Sequence, residues 1–386
     1  MKNELSAIVA VLGLTCLTAN ATPAPATPVS STPPPAPPPS ACFSDYLESK
    51  SDFYVDVNGG AIFFDGPIKD QSNIYYGAGA VGGLPVVSHP ITGSGTDDTT
   101  GSVGGDFGYV LSRHPADGWL GNNLRAQVGG DYYQTSSTSN QSINTLPSNY
   151  LAVGRLDGRN AGIVNPFISI GAAPVPIANI SFIGHDEIFD VDAVVKTDFS
   201  LGQGAFIFTP EAGFAFDRID QRSSTDITGS TQTAPTYTNE QEDVTTDYYG
   251  TIVGFELKAN VSKEFVPFLS LDTTLGLAAS SYSGAQQYNS NFNVASLNGS
   301  DSVEDNRTSF ALREQISGGF YYDFGPVILK VSGGVDYWSN VAGIQESTNP
   351  IGSSAGAGGN VNVAPSHLTT TSMVNPNANV KVIGPF

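Results

Sequence analysis

The sequence predicts an all-β protein: an antiparallel transmembrane β-barrel of about ten strands, within a range of about eight to twelve, with long extracellular loops and short periplasmic turns. Three observations predict it. Oily and polar residues alternate with period two in segment after segment. The segments exceed the usual five or six residues of a globular strand and reach the roughly nine to eleven that a tilted strand needs to cross a bilayer core. The connections alternate between long and short, as they do when tight turns join strands on one side of a membrane and loops join them on the other. An antiparallel sandwich also alternates, but it has no reason to sort its connections by length.

Composition agrees. Only 13% of the 386 residues are charged, while aromatics reach 10% and glycine 43 residues, a bias toward strand and turn formers. Hydrophobic content of 40% excludes a chain disordered throughout. Sixteen Lys and Arg against 36 Asp and Glu give a net charge of −20. Nucleic acid is therefore not an expected partner, because phosphates need basic residues. Acidity of this size serves solubility or attracts cations. Cys16 lies in a segment expected to be removed, so Cys42 forms no intrachain disulfide and no metal cluster. No cofactor is expected.

In chain order, Met1–Ala21 reads as a secretory signal. Lys2 begins it, Leu5–Leu17 is its apolar run, and Ala19-Asn20-Ala21 is a small-x-small cleavage site. No later stretch has the about eighteen continuous apolar residues of a helical span. Residues 22–51 form a periplasmic linker, in which Thr22–Ser40 is so rich in proline that it stays an extended spacer. The barrel domain is expected over 52–386.

Phe53–Phe64 sets Phe53, Val55, Val57, Ala61 and Phe63 against Tyr54, Asp56 and Asn58. Ser102–Ser112 sets Val103, Phe107, Tyr109 and Leu111 against Asp106. Asn122–Gln134 sets Leu124, Ala126, Val128 and Tyr132 against Arg125, Gln127 and Asp131. Asp186–Phe199 sets Phe189, Val191, Ala193, Val195 and Phe199 against Asp190, Asp192, Lys196 and Asp198. The hairpin Ala205–Asn260 has the clearest alternation. Its first arm, Ala205–Ile219, opposes Phe206, Phe208, Ala212, Phe214 and Phe216 to Thr209, Glu211 and Asp217. Its return arm, Asp247–Asn260, opposes Tyr249, Val253, Phe255 and Leu257 to Glu256 and Lys258. Phe265–Ser280, Thr308–Asp323 and Val327–Asn340 continue the pattern, with Asp272, Arg313, Lys330 and Asp336 on the polar side. Either Leu368–Val374 or Ala378–Phe386 closes the ring. With the first strand rising from the periplasm, every long connection, including those of about 25 residues after Ile219 and Ser280, lands outside.

Some residues resist the pattern. Glu314 falls in the oily frame near the middle of its segment, where a bulge could turn it inward. Pro210 and Pro267 lack ladder donors and are expected at bulges near the rims. Asn165–Gly184 is too apolar for an exposed loop; it either plugs the lumen or adds a hairpin to make twelve strands. Recurrent glycines, as in Val103-Gly104-Gly105-Asp106 and Val128-Gly129-Gly130-Asp131, allow the coiling that closure needs.

At this point the chain resembles a Gram-negative outer-membrane β-barrel, over the signal Met1–Ala21 and nearly all of Phe53–Phe386. The resemblance is one of pattern, with no narrower family motif. It implies partners in outer-membrane lipid and in the barrel assembly machinery. That machinery reads a terminal aromatic preceded by alternating apolar residues, here Phe386 with Val380 and Val382; Gly384 and Pro385 depart from the usual form.

The alternation assigns a set of charged residues to the lumen: Asp56, Asp106, Arg125, Asp131, Asp190, Asp192, Lys196, Glu211, Asp217, Glu256, Lys258, Asp272, Arg313, Lys330 and Asp336. Buried charges must pair. The bland reading of the set is structural ion-pair packing; the functional one is a small acidic pore that passes cations. Loop acids, Asp97-Asp98, Glu240–Asp243 and Asp301–Asp305, read as solvated surface, and none forms a calcium loop. Of the four histidines, His185 with Asp186 sits at the outer rim. Neighbours in sequence point to opposite faces of a strand, so this pair makes no dyad. No catalytic residue and no metal site is expected, and the chain is read as a non-enzyme. The leading function is a porin-like or structural surface protein. The alternatives are a surface protein whose loops bind host or environmental ligands, and a hydrolase at the rim.

Overall fold

The computed structural model describes residues 52–64, 74–78, 87–90, 98–113, 121–144, 149–153, 156–157, 177–202, 204–230, 235–262, 264–290, 297–345 and 365–385. The expected signal, linker and terminal Phe386 lie outside the described residues, as do both cysteines and Asn165–Pro176.

Ten strands close into an antiparallel barrel. They are β1 (Phe53–Phe64), β4 (Asp98–Ser112), β5 (Asn122–Asn144), β7 (Ile177–Leu201), β8 (Phe206–Ser230), β9 (Pro235–Ala259), β10 (Phe265–Ser290), β11 (Leu297–Asp323), β12 (Ile328–Gln345) and β13 (His367–Pro385). Each pairs with its sequence neighbour in the ring, and β1 meets β13 to seal it. Full closure leaves no exposed sheet edge, which a bilayer does not tolerate. The short strands β2 (Ile74–Ala78), β3 (Val87–Pro90) and β6 (Asn149–Val153) form a separate three-stranded sheet in the order β3-β2-β6.

The lower part of the barrel, next to the short turns, is inside-out relative to a water-soluble fold. Phe214 is 71% exposed, Phe310 61% and Val253 59%, while Asp56, Asp217 and Lys258 are buried. Aromatic pairs line the outer wall near the turns, including Phe53–Tyr109, Phe208–Phe255 and Phe265–Phe320. Lipid is the solvent that suits such a wall.

Four sequence expectations need correction. The connections of about 25 residues after Ile219 and Ser280 are strand: β8–β9 and β10–β11 run on and pair to their tips at Ser230–Pro235 and Ser290–Leu297. The acids of Glu240–Asp243 and Asp301–Asp305 therefore lie in β9 and β11 and not in loops. At about 3.3 Å per residue and a tilt near 40°, strands of 25 residues rise roughly 60 Å. The apolar band needs only about 25 Å of that height. The closing strand is a single element, His367–Pro385, that contains Leu368–Val374 and the described residues 378–385 of the other candidate. Ile177–Gly184 belongs to β7, and no extra hairpin enters the ring.

Glu314 does not turn inward. It sits opposite Thr273 and Tyr337 in an unbroken register, half-buried on the outer face. Extension of β11 places it only nine residues from Asp323 in a strand that continues well above it. Pro267 pairs with Phe320 just inside the turn, and the β9–β10 ladder starts one residue above it. Pro210 lies in a gap of the β7–β8 ladder, between the pairs Lys196–Glu211 and Phe199–Phe208. Neither occupies a bulge. The register shifts occur elsewhere, after Trp338, Val110 and Asn122. Two of them hold asparagines with positive φ, Asn340 at 56° and Asn123 at 55°, a conformation that asparagine tolerates better than most residues.

Candidate functional site in the barrel interior

Closing the ring turns one face of every strand toward the axis, and four layers of side chains meet there. The lowest surrounds a cavity of about 130 Å³. Arg125 from β5 holds Asp198 from β7 through two bonds of 2.9 and 3.2 Å, and Thr209 Oγ1 donates to the same carboxylate at 2.6 Å. Lys196 meets Glu211 at 2.7 Å. Glu256 receives Lys330 at 2.9 Å, Lys258 at 3.1 Å and the Tyr321 hydroxyl at 2.8 Å. Lys381 bridges Asp56, at 3.1 Å, and Asp106. Asp272 also lines this cavity.

The middle layer is built around Arg313 of β11. Its guanidinium contacts Asp190 of β7, Asp217 of β8 at 2.7 Å and Asp336 of β12 at 3.1 Å. Its Cζ lies 4.2 Å from the centre of the Trp338 ring. One cation thus ties strands from opposite walls of the lumen. A fork of five donors suits three carboxylates in a way that a lysine does not. Asp131 and Asp192 project from β5 and β7 beside this cluster; the register sets Asp131 opposite Asp190.

Directly above lies an apolar layer. Ile188, Ile219, Tyr248, Ala278, Ala311, Trp338, Val341 and Met373 form one buried cluster drawn from β7 through β13, with Tyr133 of β5 packed on it. The register shift after Trp338 lets both Trp338 and Val341 face inward. Higher still, Val244, Tyr282, Ala342, Ile344 and Leu368 form a second apolar cluster. Leu156, from the β6–β7 connection, is fully buried, and its carbonyl accepts the Ser366 amide at 2.8 Å.

All fifteen charged residues that the alternation assigns to the lumen sit on inward positions of this register. Glu256, Asp106 and the Arg313 set are brought into direct contact networks, whereas Asp131 and Asp192 make no ion pair among the described residues. The sequence reading missed Lys381 and Tyr321. Lys381 was legible, since it alternates with Val380 and Val382, which are 46% and 45% exposed on the lipid face. The apolar layer was not legible, because Ile219 and Trp338 end or interrupt the oily frame that defined the strands.

On the outer wall, His185 Nε2 lies 2.8 Å from Glu187 Oε1, its neighbour two residues along the same face. Among the described residues no group of three or more His, Cys, Asp or Glu side chains converges to hold a metal.

No protein-family model and no curated protein matches the sequence. Solved structures do. The outer membrane protease OmpT from Escherichia coli is similar over 87% of this chain and 96% of its own, at 9% identity and a TM-score of 0.36. The Pseudomonas putida toluene transporter TodX is similar over 90% of this chain and 93% of its own, at 9% identity and a TM-score of 0.20. CymD, a monoaromatic hydrocarbon channel, is similar over 89% and 91%, at 10% identity and a TM-score of 0.26. The expectation of a non-enzyme is corrected by the first of these. A barrel of this kind is a protease there, so the fold does not exclude catalysis. These likenesses are low, and the assignment rests on the molecule's own geometry: ten strands sealed into a ring, an oily wall and a charged interior. The chain folds as a closed ten-stranded antiparallel β-barrel with the oily wall and charged interior of a membrane-spanning barrel.

Proposed function

We propose that this protein is a closed outer-membrane scaffold that works at the cell surface and does not serve as a pore. The single observation that carries the reading is the buried layer Ile188, Ile219, Tyr248, Ala278, Ala311, Trp338, Val341 and Met373 across the lumen. A small barrel has room inside for side chains and little else. The acid-lined path for small cations that the sequence suggested loses its support with an apolar layer and the Arg313 cluster in its way. The strands that rise past the lipid band give the molecule a long polar stem on which connections can meet host or environmental ligands. In this reading Met1–Ala21 is a cleaved signal, residues 22–51 are a periplasmic spacer, and the assembly machinery reads Val380, Val382 and Phe386.

Planar-bilayer recordings test the proposal. Wild-type protein should give no conductance steps. The double variant Trp338→Ala, Ile219→Ala should give measurable steps at unchanged strand content. Clear single-channel steps from the wild type would reject the closed-barrel reading. N-terminal sequencing of the mature protein checks the export step and should begin at Thr22.

A further inference from the structure

The seal between β11 and β12 does not run the full height of the barrel. Their ladder rises from Asp323–Ile328 to Arg313–Trp338 and has no rung beyond. β11 continues up to Leu297, paired with β10 on its other flank in a register without a shift. β12 turns away instead. A register shift and the positive φ of Asn340 follow Trp338, and then Val341, Ala342, Gly343 and Ile344 are buried in succession. A strand in a solvated wall buries alternate residues, so one buried on both faces has left the wall. Ala342, Ile344 and Leu368 of β13 pack on Val244 and Tyr282, from the inner face of β9 and β10. The upper β12–β13 ribbon thus lies inside the sheet, and one flank of β11 is left open.

Backbone N–H and C=O groups alternate between the two flanks of an antiparallel strand. The Leu312 amide donates to Ser339 Oγ at 2.8 Å, and the Phe310 carbonyl accepts from Asn340 Nδ2 at 2.6 Å. Even-numbered residues of β11 therefore turn their main chain to the open flank. At the level of the exposed Phe310 ring, side chains cap these groups, as an oily surrounding demands. Higher up, the Asn306 amide is capped by Asp305 Oδ1 at 2.8 Å. Ser300, Ser302, Glu304 and Thr308 are exposed, and their main chains have no partner on this flank among the described residues. No proline, lysine or bulge blunts the edge. Its charge is mostly of one sign: Asp301, Glu304 and Asp305, with Arg307 the one base between Leu297 and Thr308. Like charges on facing strands repel, so this edge disfavours a second copy of itself. Two copies in one membrane would also meet with β11 strands running the same way and crossing at about twice the strand tilt of roughly 40°, which makes no ladder.

We propose that the open flank of β11, from Ser300 to Thr308, takes an added strand: an extended, basic segment of a partner protein at the cell surface. The main chain of that segment pairs with the N–H and C=O groups of Ser300, Ser302, Glu304 and Thr308, and a lysine or arginine on its outer face meets Glu304. Main-chain pairing supplies the affinity, and the acidic edge selects the partner. The proposal gives the surface scaffold a partner and rests on that reading only for the side of the membrane that this flank faces.

The test uses the refolded barrel in detergent and a fluorescein-labelled peptide of alternating lysine and threonine, followed by fluorescence anisotropy. The expected result is saturable binding of one peptide per chain. The same peptide N-methylated throughout keeps its charge and loses its donors, and it should bind at least tenfold more weakly. Ser302→Pro removes an amide that points to the open flank and no rung with β10, so the barrel still folds, which heat-modifiable migration verifies. Binding to it should fall at least fivefold. Glu304→Lys should weaken binding, while Asp220→Lys, the same change of charge on the wall of β8, should leave it unchanged. No saturable binding, equal binding of the N-methylated peptide, or undiminished binding to folded Ser302→Pro overturns the proposal. A dimer that Ser302→Pro dissociates would give the flank to a second copy and overturn the partner named here. A conducting barrel that binds the peptide rejects the closed-scaffold reading alone, and a silent barrel that binds none rejects the added strand alone.

Discussion

The lower and upper halves of this barrel use the same strands in two solvents. Along β8 the outward residues run Phe208, Pro210, Ala212, Phe214 and Phe216, then change to Arg218, Asp220 and Arg222. The inward residues run Thr209, Glu211 and Asp217, then change to Ile219, Gln221 and Ile227, all buried. β9 changes at the same level: Phe255, Val253 and Tyr249 give way outside to Asp247 and Asp243, while inside Glu256 and Lys258 are followed by Tyr248, Thr246, Val244, Glu242 and Glu240, all buried. Below this level the wall is oily and the interior ionic. Above it the wall carries polar ladder pairs, such as Arg218–Asp247 at 2.7 Å, and the interior mixes apolar clusters with buried hydrogen-bonded groups such as Glu242, which accepts from the Tyr282 hydroxyl, and Glu240, which accepts from Gln286. The difference teaches that the period of two fixes only which residues share a face. The surrounding medium decides which face is oily.

The largest expected effect separates the two kinds of ion pair. Arg313→Met removes the only described cation in contact with Asp190, Asp217 and Asp336 together. Breaking a buried cluster by deleting one partner costs about 3–5 kcal/mol, because the charges left behind have no water. Arg218→Met on the outer wall deletes an equally short pair at a side chain that is 46% exposed. That change should cost less than about 1 kcal/mol. Urea unfolding from lipid vesicles, followed by tryptophan fluorescence, measures both. Similar losses at the two sites would mean that the interior is as wet as the surface.

A second pair tests the medium outside. Val253→Arg puts a charge on a 59% exposed position of the lower wall. If lipid covers it, the cost is about 2–4 kcal/mol. Ser283→Arg lies outward on the extended part of β10, exposed, and should change stability by no more than about 0.5 kcal/mol. The same unfolding assay reads both. Equal effects would place the lipid boundary elsewhere on the wall.

The inversion also explains what was legible. Closure, direction and the count of ten strands follow from alternation and from tight turns such as those after Leu201, Ala259 and Asp323. The upper strands did not, because Asp220–Ser230 has polar residues on both faces except at Ile227. A pattern defined by oil outside ends where the oil ends. The inward charges were readable one strand at a time, but the convergence of Asp190, Asp217, Asp336 and Arg313 depends on register between strands distant in sequence. The placement of Glu314 illustrates the same limit. Its position within Thr308–Asp323 suggested mid-membrane, and only the true length of β11 revises that.

The smallest effect concerns glycines, which the sequence reading gave one collective role. Gly319, paired with Ser332, and Gly333, paired with Gly318, sit on adjacent rungs of the β11–β12 ladder and differ in what surrounds them. At Gly319 an added Cβ would land on the Val331 carbonyl, with Ser332 Cα at 2.9 Å. Backbone cannot retreat as a side chain does, so Gly319→Ala should cost about 1–3 kcal/mol. At Gly333 the nearest atom is the Asn377 carbonyl at 3.7 Å, an ordinary contact. There alanine narrows the unfolded ensemble, and Gly333→Ala should stabilise by up to about 1 kcal/mol. Opposite signs in the unfolding assay would assign close approach of strands to Gly319 and deny it to Gly333. Two losses of equal size would instead make coiling of the whole sheet the reason for both.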